Sequence, residues 1–297
     1  MIFISNHLNS LVSLIIPVKN EGQHIQNTIK SALEVRTNYS FEIVVVDDNS
    51  SDGCCEFLNN YSSAIQIKLI KSKGIGAARA RNLGAKNSSG EYLIFCDAHV
   101  CFEDFWIEGL LQPIHDGIAD GTTPGIADIE RPYYPGYGQT LNKHLGVEWQ
   151  VEKTDPFPTA VLPAGCYAVS RATFFDIGGF DKGFQVWGHE DVEISLKMWL
   201  FGYTCYVQPS VTILHIFRTK TPYPLKYEHV YFNMLRMVYS HFKKERIYKF
   251  REIIGNHYLS RVEPWVLKSG VLEQRKLYIA RRKYNDDWYM DKFSIDF

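Results

Sequence analysis

A chain of 297 residues is long enough to bury a large core, as one domain or as a domain with an appendage. Apolar residues make up 45% and charged residues 22%, the balance of an ordinary globular protein. A formal net charge of −1 gives no global field for nucleic acid, so no nucleic-acid partner is expected.

Residues 12–18 are aliphatic and read as a first strand, interrupted late by Pro17. Asn20-Glu21-Gly22 reads as a turn, and 21–33 as an amphipathic helix, because Ile25, Ile29 and Leu33 recur every four residues. Residues 41–46 are apolar except for Glu42, the pattern of a parallel strand buried on both faces. A short helix over 54–61 and a strand over 65–70 follow. Gly74-Ile75-Gly76 then opens a helix that runs to about residue 85, and 92–96 is a fourth strand. This alternation predicts a doubly wound, mostly parallel α/β sheet. After a helix at 105–111 the pattern loosens. Residues 116–160, rich in Gly, Pro and Tyr, read as strands and loops over the sheet, either an acceptor-facing surface or a plain excursion. Residues 163–170 read as a strand, 171–177 as a helix, and 190–200 as a helix with Val192, Ser195, Leu196 and Trp199 on one face. From 227 to about 250 the chain is aromatic and basic with helical spacing, a helical appendage that packs on the sheet or serves an acceptor or a partner subunit. The expected division is 1–225 and 226–297.

The six cysteines, Cys54, Cys55, Cys96, Cys101, Cys166 and Cys205, form no C-x-x-C pair and read as core thiols. Met1-Ile2-Phe3-Ile4 is too short and lacks the basic residues of a leader, and Leu14-Ile15-Ile16-Pro17-Val18 is far below membrane-span length. The expectation is a cytoplasmic chain without a transmembrane segment. Peripheral membrane contact and oligomer formation are open.

Several segments carry chemistry. Asp47-Asp48 follows a buried strand, where a carboxylate can accept from a base or ribose; the competing reading is a helix cap. Gly74-Ile75-Gly76 with Arg79 and Arg81 could cradle phosphate at a helix start, or be a tight turn with solvated arginines; it is neither a P-loop nor a G-x-G-x-x-G. Asp97-Ala98-His99 ends a strand, and i, i+2 spacing on an extended segment turns both side chains to one side. His215 ends the run 209–214. Ligands of open α/β sheets bind at strand carboxyl ends, so Asp97, His99 and His215 can share one divalent ion. Mixed O and N donors suit Mn²⁺, and also Mg²⁺ or Zn²⁺. Glu190-Asp191, after Trp187-Gly188, suits either a helix dipole or acid–base work. Together these point to metal-assisted transfer from a nucleotide-linked donor.

The strings Val12-Ser13-Leu14-Ile15-Ile16-Pro17-Val18-Lys19-Asn20-Glu21 and Val45-Val46-Asp47-Asp48-Asn49-Ser50 resemble the opening of the GT-A (Rossmann-like) nucleotide-sugar glycosyltransferases of the family 2 type. The Gly76–Gly84 segment resembles their G-x-x-x-A-R-N-x-G element, and Asp97-Ala98-His99 the D-x-H variant of their D-x-D motif. With Trp187-Gly188-His189-Glu190-Asp191 and His215-Ile216-Phe217-Arg218, the chain is similar over about 12–225 to the polypeptide N-acetylgalactosaminyltransferases.

The resemblance implies that Asp48 binds uracil or ribose with Pro17 and Lys73 beside it, and that Arg81 lies near the nucleotide. It implies that Asp97, His99 and His215 ligate Mn²⁺, with Mg²⁺ as an alternative, together with the donor diphosphate. Arg218 and Tyr223 would contact that diphosphate from a mobile loop. Trp187, Gly188 and Glu190 would border the sugar, and Gly165 joins the donor-binding set. Two departures stand out. Asp191 stands where the animal polypeptide enzymes have Asn, and no counterpart of their C-terminal lectin domain is expected within these residues. Trp-Gly-x-Glu-Asp is closer to the β-galactosyltransferases and chondroitin polymerases, where the equivalent Asp is the base of an inverting reaction. Glu190 and Asp191 are therefore the candidate catalytic residues, and inversion is the expected outcome. The expected donor is a UDP-sugar of open identity. The acceptor is a peptide hydroxyl or thiol, a glycan or a lipid-linked sugar. The rivals are a nucleotidyltransferase of similar topology and a non-catalytic UDP-sugar-binding protein.

Overall fold

The computed structural model describes residues 10–297, and the reading of Met1–Ile4 lies outside them. The first half alternates strand and helix: β1 Leu11–Val18, α1 His24–Glu34, β2 Ser40–Asp47, β3 Ile67–Lys71, α2 Ala77–Asn87, β4 Tyr92–Cys96 and the short β5 Val100–Cys101. There follow α3 Trp106–His115, β6 Gly121–Asp128, β7 Arg131–Leu141, β8 Val147–Gln150, β9 Phe157–Pro158, β10 Cys166–Ser170, α4 Arg171–Asp176, α5 Glu190–Phe201 and β11 Cys205–His215. The chain ends with α6 Tyr227–His241, α7 Lys244–Lys268, α8 Val271–Arg281 and α9 Asp286–Lys292.

The strands form one sheet in the order β3-β2-β1-β4-β10-β6-β11-β5. It is parallel from β3 to β4, antiparallel on either side of β10, and parallel again between β6 and β11. Winding runs outward from β1 to β3 and then reverses to β4. The crevice at the carboxyl ends of β1 and β4 is thus a topological switch point. The apolar runs explain why these strands are central. Every residue of β4 is buried, as are the inner six of β2. The single acid among them, Glu42, is held by Lys68 at 2.8 Å and Ser13 at 2.8 Å, which offsets the cost of burying it.

Three expectations change. The helix expected from residue 21 starts at His24, because Asn20 (φ 56°) and Gly22 (φ 54°) make a left-handed turn first. The helix expected at 54–61 is a 3₁₀ turn over Glu56–Asn60. Part of 116–160 does not lie over the sheet: β6 enters it between β10 and β11. Its sequence, GTTPGIAD, carries no strand-like apolar alternation. Thr122 and Thr123 can be buried because their hydroxyls donate to the carbonyls of Leu110 (2.7 Å) and Cys166 (2.9 Å). Gly121 is small because a Cβ there would lie 2.9 Å from Met198.

Helix α5 is buried on every side from Val192 to Leu200, rather than on one stripe. It lies between the sheet and the C-terminal helices, so its charges need partners. Glu193 meets Lys197 and His241, each at 3.0 Å. The C-terminal helices extend well past residue 250, and Gly255 (φ 74°) breaks α7. Phe232, Leu235, Val238, Phe242, Phe250, Val262 and Tyr289 share one apolar cluster with Ile15, Val44 and Phe95 of the sheet. Each such buried side chain contributes about 1.5–3 kcal/mol. Among the described residues, no helix is long and apolar enough to cross a membrane.

Candidate active site

Two cavities open at the carboxyl ends of the strands. The first, of about 310 Å³, is lined by Pro17, Lys19 and Glu21 after β1, Asp48 after β2, the start of α2, and the segment following β11. The second, of about 250 Å³, is lined by Gly165 before β10, Gly188 to Asp191 at the start of α5, and Val147 and Trp149 of β8. They meet at Asp97, Trp187, His215 and Phe217, which line both.

A backbone device brings the distant metal-competent residues to this junction. Strand β5 pairs antiparallel with the end of β11, placing His215 opposite Val100, and the Ile216 N–H donates to the His99 carbonyl at 3.1 Å. One donor atom from each of Asp97, His99 and His215 lies within 4.8 Å of the others. His215 Nε2 lies 3.3 Å from Asp97 Oδ2, while its Nδ1 is buried without a hydrogen-bond partner among the described residues. One carboxylate and two imidazoles on a shared solvent-facing cavity are a fitting set for Mn²⁺, with room for ligand oxygens. Hydrogen bonding to His215 and the charges of Arg81 and His99 hold the Asp97 carboxyl well below its usual range despite burial.

Glu21, expected in a turn and at the start of a helix but not at the metal site, is buried beneath this cluster. It lies 3.1 Å from His99 Nδ1 and pairs with Arg218. These bonds hold its pKa down against the effect of burial. An outer carboxylate on one ring nitrogen leaves the other free for a metal. Turn composition hides this partner; the one sequence signal is an acid three residues beyond the end of the first strand.

Asp48 lines the first cavity, but its carboxylate already organises the neighbouring loop. It accepts from Ser72 Oγ (2.5 Å) and from the backbone N–H groups of Ile75 (2.6 Å) and Gly76 (2.8 Å). Asp47 caps the turn, accepting from the Ser50 N–H at 2.9 Å. Lys73 is exposed and outside the cavity lining, whereas Lys19 lines it and donates to the Asp48 carbonyl at 3.2 Å. The Gly-rich helix start is no open phosphate cradle: the Gly76 N–H faces Asp48 and the Ala77 N–H donates to the Val186 carbonyl at 2.7 Å. Gly76 (φ 87°) is required by close approach, since a Cβ would lie 3.0 Å from Val186 backbone. Arg81 is buried and bridges Asp97 (3.0 Å) to Glu190 (2.9 Å).

Glu190 and Asp191 differ in what they can do. Glu190 has both oxygens engaged, one by Arg81 and the other by the Gly188 N–H at 2.8 Å. Asp191 faces the second cavity and accepts from the N–H groups of Val192 (2.9 Å) and Ala164 (3.3 Å). Burial and the neighbouring Glu190 charge push its pKa up to about 6, the range of a working base. Gly165 accepts the Asp97 N–H at 3.2 Å, and a Cβ there would crowd Ile126 (3.1 Å) and the His215 ring (3.4 Å). Trp187, 43% exposed, stands between the cavities.

The segment after β11 folds over the first cavity. Arg218 pairs with Glu21, the Asn20 side chain donates to the Pro222 carbonyl at 3.3 Å, and Lys19 sits 5.7 Å from the Tyr223 ring centre. Phe217 meets Trp149 edge-on at 6.4 Å, joining this segment to β8 over the second cavity.

Residues 13–174 match the glycosyl transferase family 2 domain, and residues 152–230 match the N-terminal domain of galactosyltransferase. Polypeptide N-acetylgalactosaminyltransferase 11 of Xenopus tropicalis is 29% identical over 77% of this chain and 42% of its own length. Polypeptide N-acetylgalactosaminyltransferase 3 of Drosophila melanogaster is 30% identical over 71% of this chain and 35% of its own. The chain spans about half the length, or less, of such curated relatives. Among solved structures, GalNAc-T7 with UDP, GalNAc and Mn²⁺ aligns at TM-score 0.74 and 24% identity, covering 96% of this chain and 57% of that one. S. aureus TarS with UDP-GlcNAc aligns at 0.60 and 14%, covering 91% and 90%. These neighbours share the GT-A fold, the motifs resemble those of the polypeptide N-acetylgalactosaminyltransferases, and with more than half its length matched the chain belongs to glycosyl transferase family 2.

Proposed function

We propose that the chain is a metal-dependent glycosyltransferase that moves a sugar from a UDP-sugar to a hydroxyl or thiol, most plainly on a peptide, with inversion at the anomeric carbon. The observation that carries this is the Asp97, His99 and His215 cluster at the junction of two cavities, with Asp191 facing the second. Relatives named as polypeptide N-acetylgalactosaminyltransferases support the peptide, and a structural neighbour that holds UDP and Mn²⁺ supports the donor and the ion.

In this reading the nucleotide occupies the first cavity, between Pro17, Lys19 and Asp48 and the segment carrying Arg218 and Tyr223. Asp97, His99 and His215 would hold the cation, which when bound offsets the charge growing on the diphosphate leaving group. Arg218 exchanges Glu21 for a diphosphate oxygen, while Phe217 and Tyr223 exclude water from above. The sugar lies by Trp187 and Gly188. Asp191 takes the acceptor proton as its oxygen or sulfur attacks; an Asn there could not. UDP release from candidate UDP-sugars with Mn²⁺, followed by anomeric coupling of the product, tests the reading. Absence of release with every UDP-sugar leaves a binding protein, and a retained configuration removes Asp191 as the base.

A further inference from the structure

The segment leading into α5 holds a backbone that it would not keep by itself. Val186 (φ 38°), Gly188 (φ 107°) and His189 (φ 63°) are all left-handed. A β-branched residue there is strained, and such strain persists only when neighbours over-determine it. On one side the helix start of α2 holds it, through the Ala77 N–H on the Val186 carbonyl. On the other side stands a single fully buried side chain from α6, Asn233. Its Oδ1 accepts the Gln185 N–H at 2.7 Å. Its Nδ2 donates to the carbonyls of Gln185 (2.8 Å), Gly188 (2.9 Å) and Trp187 (3.3 Å). One turn further along α6, Arg236 grips Asp181 at 2.9 Å, and Gly183 lies flush on its guanidinium, where a Cβ would sit 2.2 Å away. Residues three apart share a helix face, so α6 holds the 181–188 segment at two points.

We propose that Asn233 is a positioning residue for sugar transfer, an inference that rests on the glycosyltransferase reading above. Its carboxamide satisfies both backbone polar groups of Gln185 and the carbonyls of Trp187 and Gly188. This turns the Trp187 side chain into the wall shared by the two cavities. It also sets the Gly188 N–H on Glu190, and hence Asp191 at the first turn of α5. The helical segment after residue 226 is thereby part of the site. Pro17, Lys19 and Asp48, on other elements, line the nucleotide cavity along with Val186 and Trp187, so losing the carboxamide should weaken sugar transfer far more than nucleotide binding.

The test uses the full chain with Asn233→Asp, which keeps size but turns an oxygen toward three carbonyls, and Asn233→Ser, which keeps one hydroxyl. Three quantities are read: hydrogen exchange across 185–189, UDP affinity with Mn²⁺, and kcat for UDP release from the best UDP-sugar. In Asn233→Ser we expect exchange at least tenfold faster, UDP affinity within threefold of wild type, and kcat lowered 30-fold or more, with Asn233→Asp lower still. In a Trp187→Ala background the same Ser substitution should cost clearly less than in wild type, the remainder being the route through Gly188 and Glu190, because residues that act through one another are not additive. Unchanged exchange at 185–189 would overturn the clamp. Wild-type kcat in Asn233→Ser, or a full additive loss beside Trp187→Ala, would overturn the positioning role. If Asn233→Asp fails to fold, the Ser variant decides. If wild-type chain binds UDP and Mn²⁺ yet releases no UDP from any sugar donor, the glycosyltransferase reading fails, while the exchange measurement still judges the clamp.

Discussion

Replacing Asp191 by Asn should move stability and activity in opposite directions. The carboxylate is partly buried beside Glu190, and its pKa rises from 3.8 to about 6. A raised carboxyl pKa favours the folded state while the group is protonated and loses that contribution as pH climbs through about 6. Ionised at pH 7.5, Asp191 therefore costs the fold up to about 3 kcal/mol, from roughly 1.4 kcal/mol per pKa unit. Asn cannot ionise. It keeps an acceptor for the Val192 or Ala164 N–H and loses the other, which returns about 1 kcal/mol. The variant should thus gain about 1–2 kcal/mol at pH 7.5, with the gain vanishing below about pH 5. Its kcat should fall about 10²–10⁴-fold, the usual worth of a positioned base, with UDP affinity unchanged. Wild-type kcat should rise with pH through about 6. Urea melts at three pH values, beside initial rates with a UDP-sugar, measure both effects. A kcat within threefold of wild type together with a retained anomeric configuration would refute the assignment. With a thiol acceptor, which needs less help from a base, the anomeric coupling decides.

Asp97→Ala and His215→Ala should each abolish Mn²⁺-dependent UDP binding in calorimetry with the fold intact; full activity of both in EDTA would remove the metal site. Glu21→Gln should weaken Mn²⁺ affinity about 10–100-fold, the usual loss when a partner behind a ligand is changed, and unaltered affinity would show that His99 needs no orienting carboxylate. Hydrogen-exchange protection across residues 218–226 should rise when UDP and Mn²⁺ are added, as the segment closes and excludes water; unchanged protection at saturating ligand would count against a lid.

Much of the fold is legible locally. Strands β1, β2 and β4 are apolar runs bounded by turn residues, because strands buried on both faces admit little else. The D-x-H after β4 and the histidine ending β11 read as metal-competent for the same local reason: a strand end presents alternate side chains to one side. Other features have no local signature. Strand β6 carries Thr, Gly and Pro in place of aliphatic residues, and its burial depends on acceptors and space supplied by α3, β10 and α5. Composition leaves Gly76 between a phosphate cradle and a tight turn, while the fold uses it for contact with Val186.

The chain by itself pointed to Asp97, His99 and His215 as metal-competent, since alternate side chains at a strand end face one side. Only the tertiary structure decided how those groups are used. Pairing of β5 with β11 brings His99 to His215. Glu21 turns beneath His99, Glu190 is tied to Arg81 while Asp191 is left facing a cavity, and Asn233 reaches the site from a helix more than forty residues beyond it. Hydrogen bonds across such sequence separations depend on distance in space, which a local pattern of residue types does not encode.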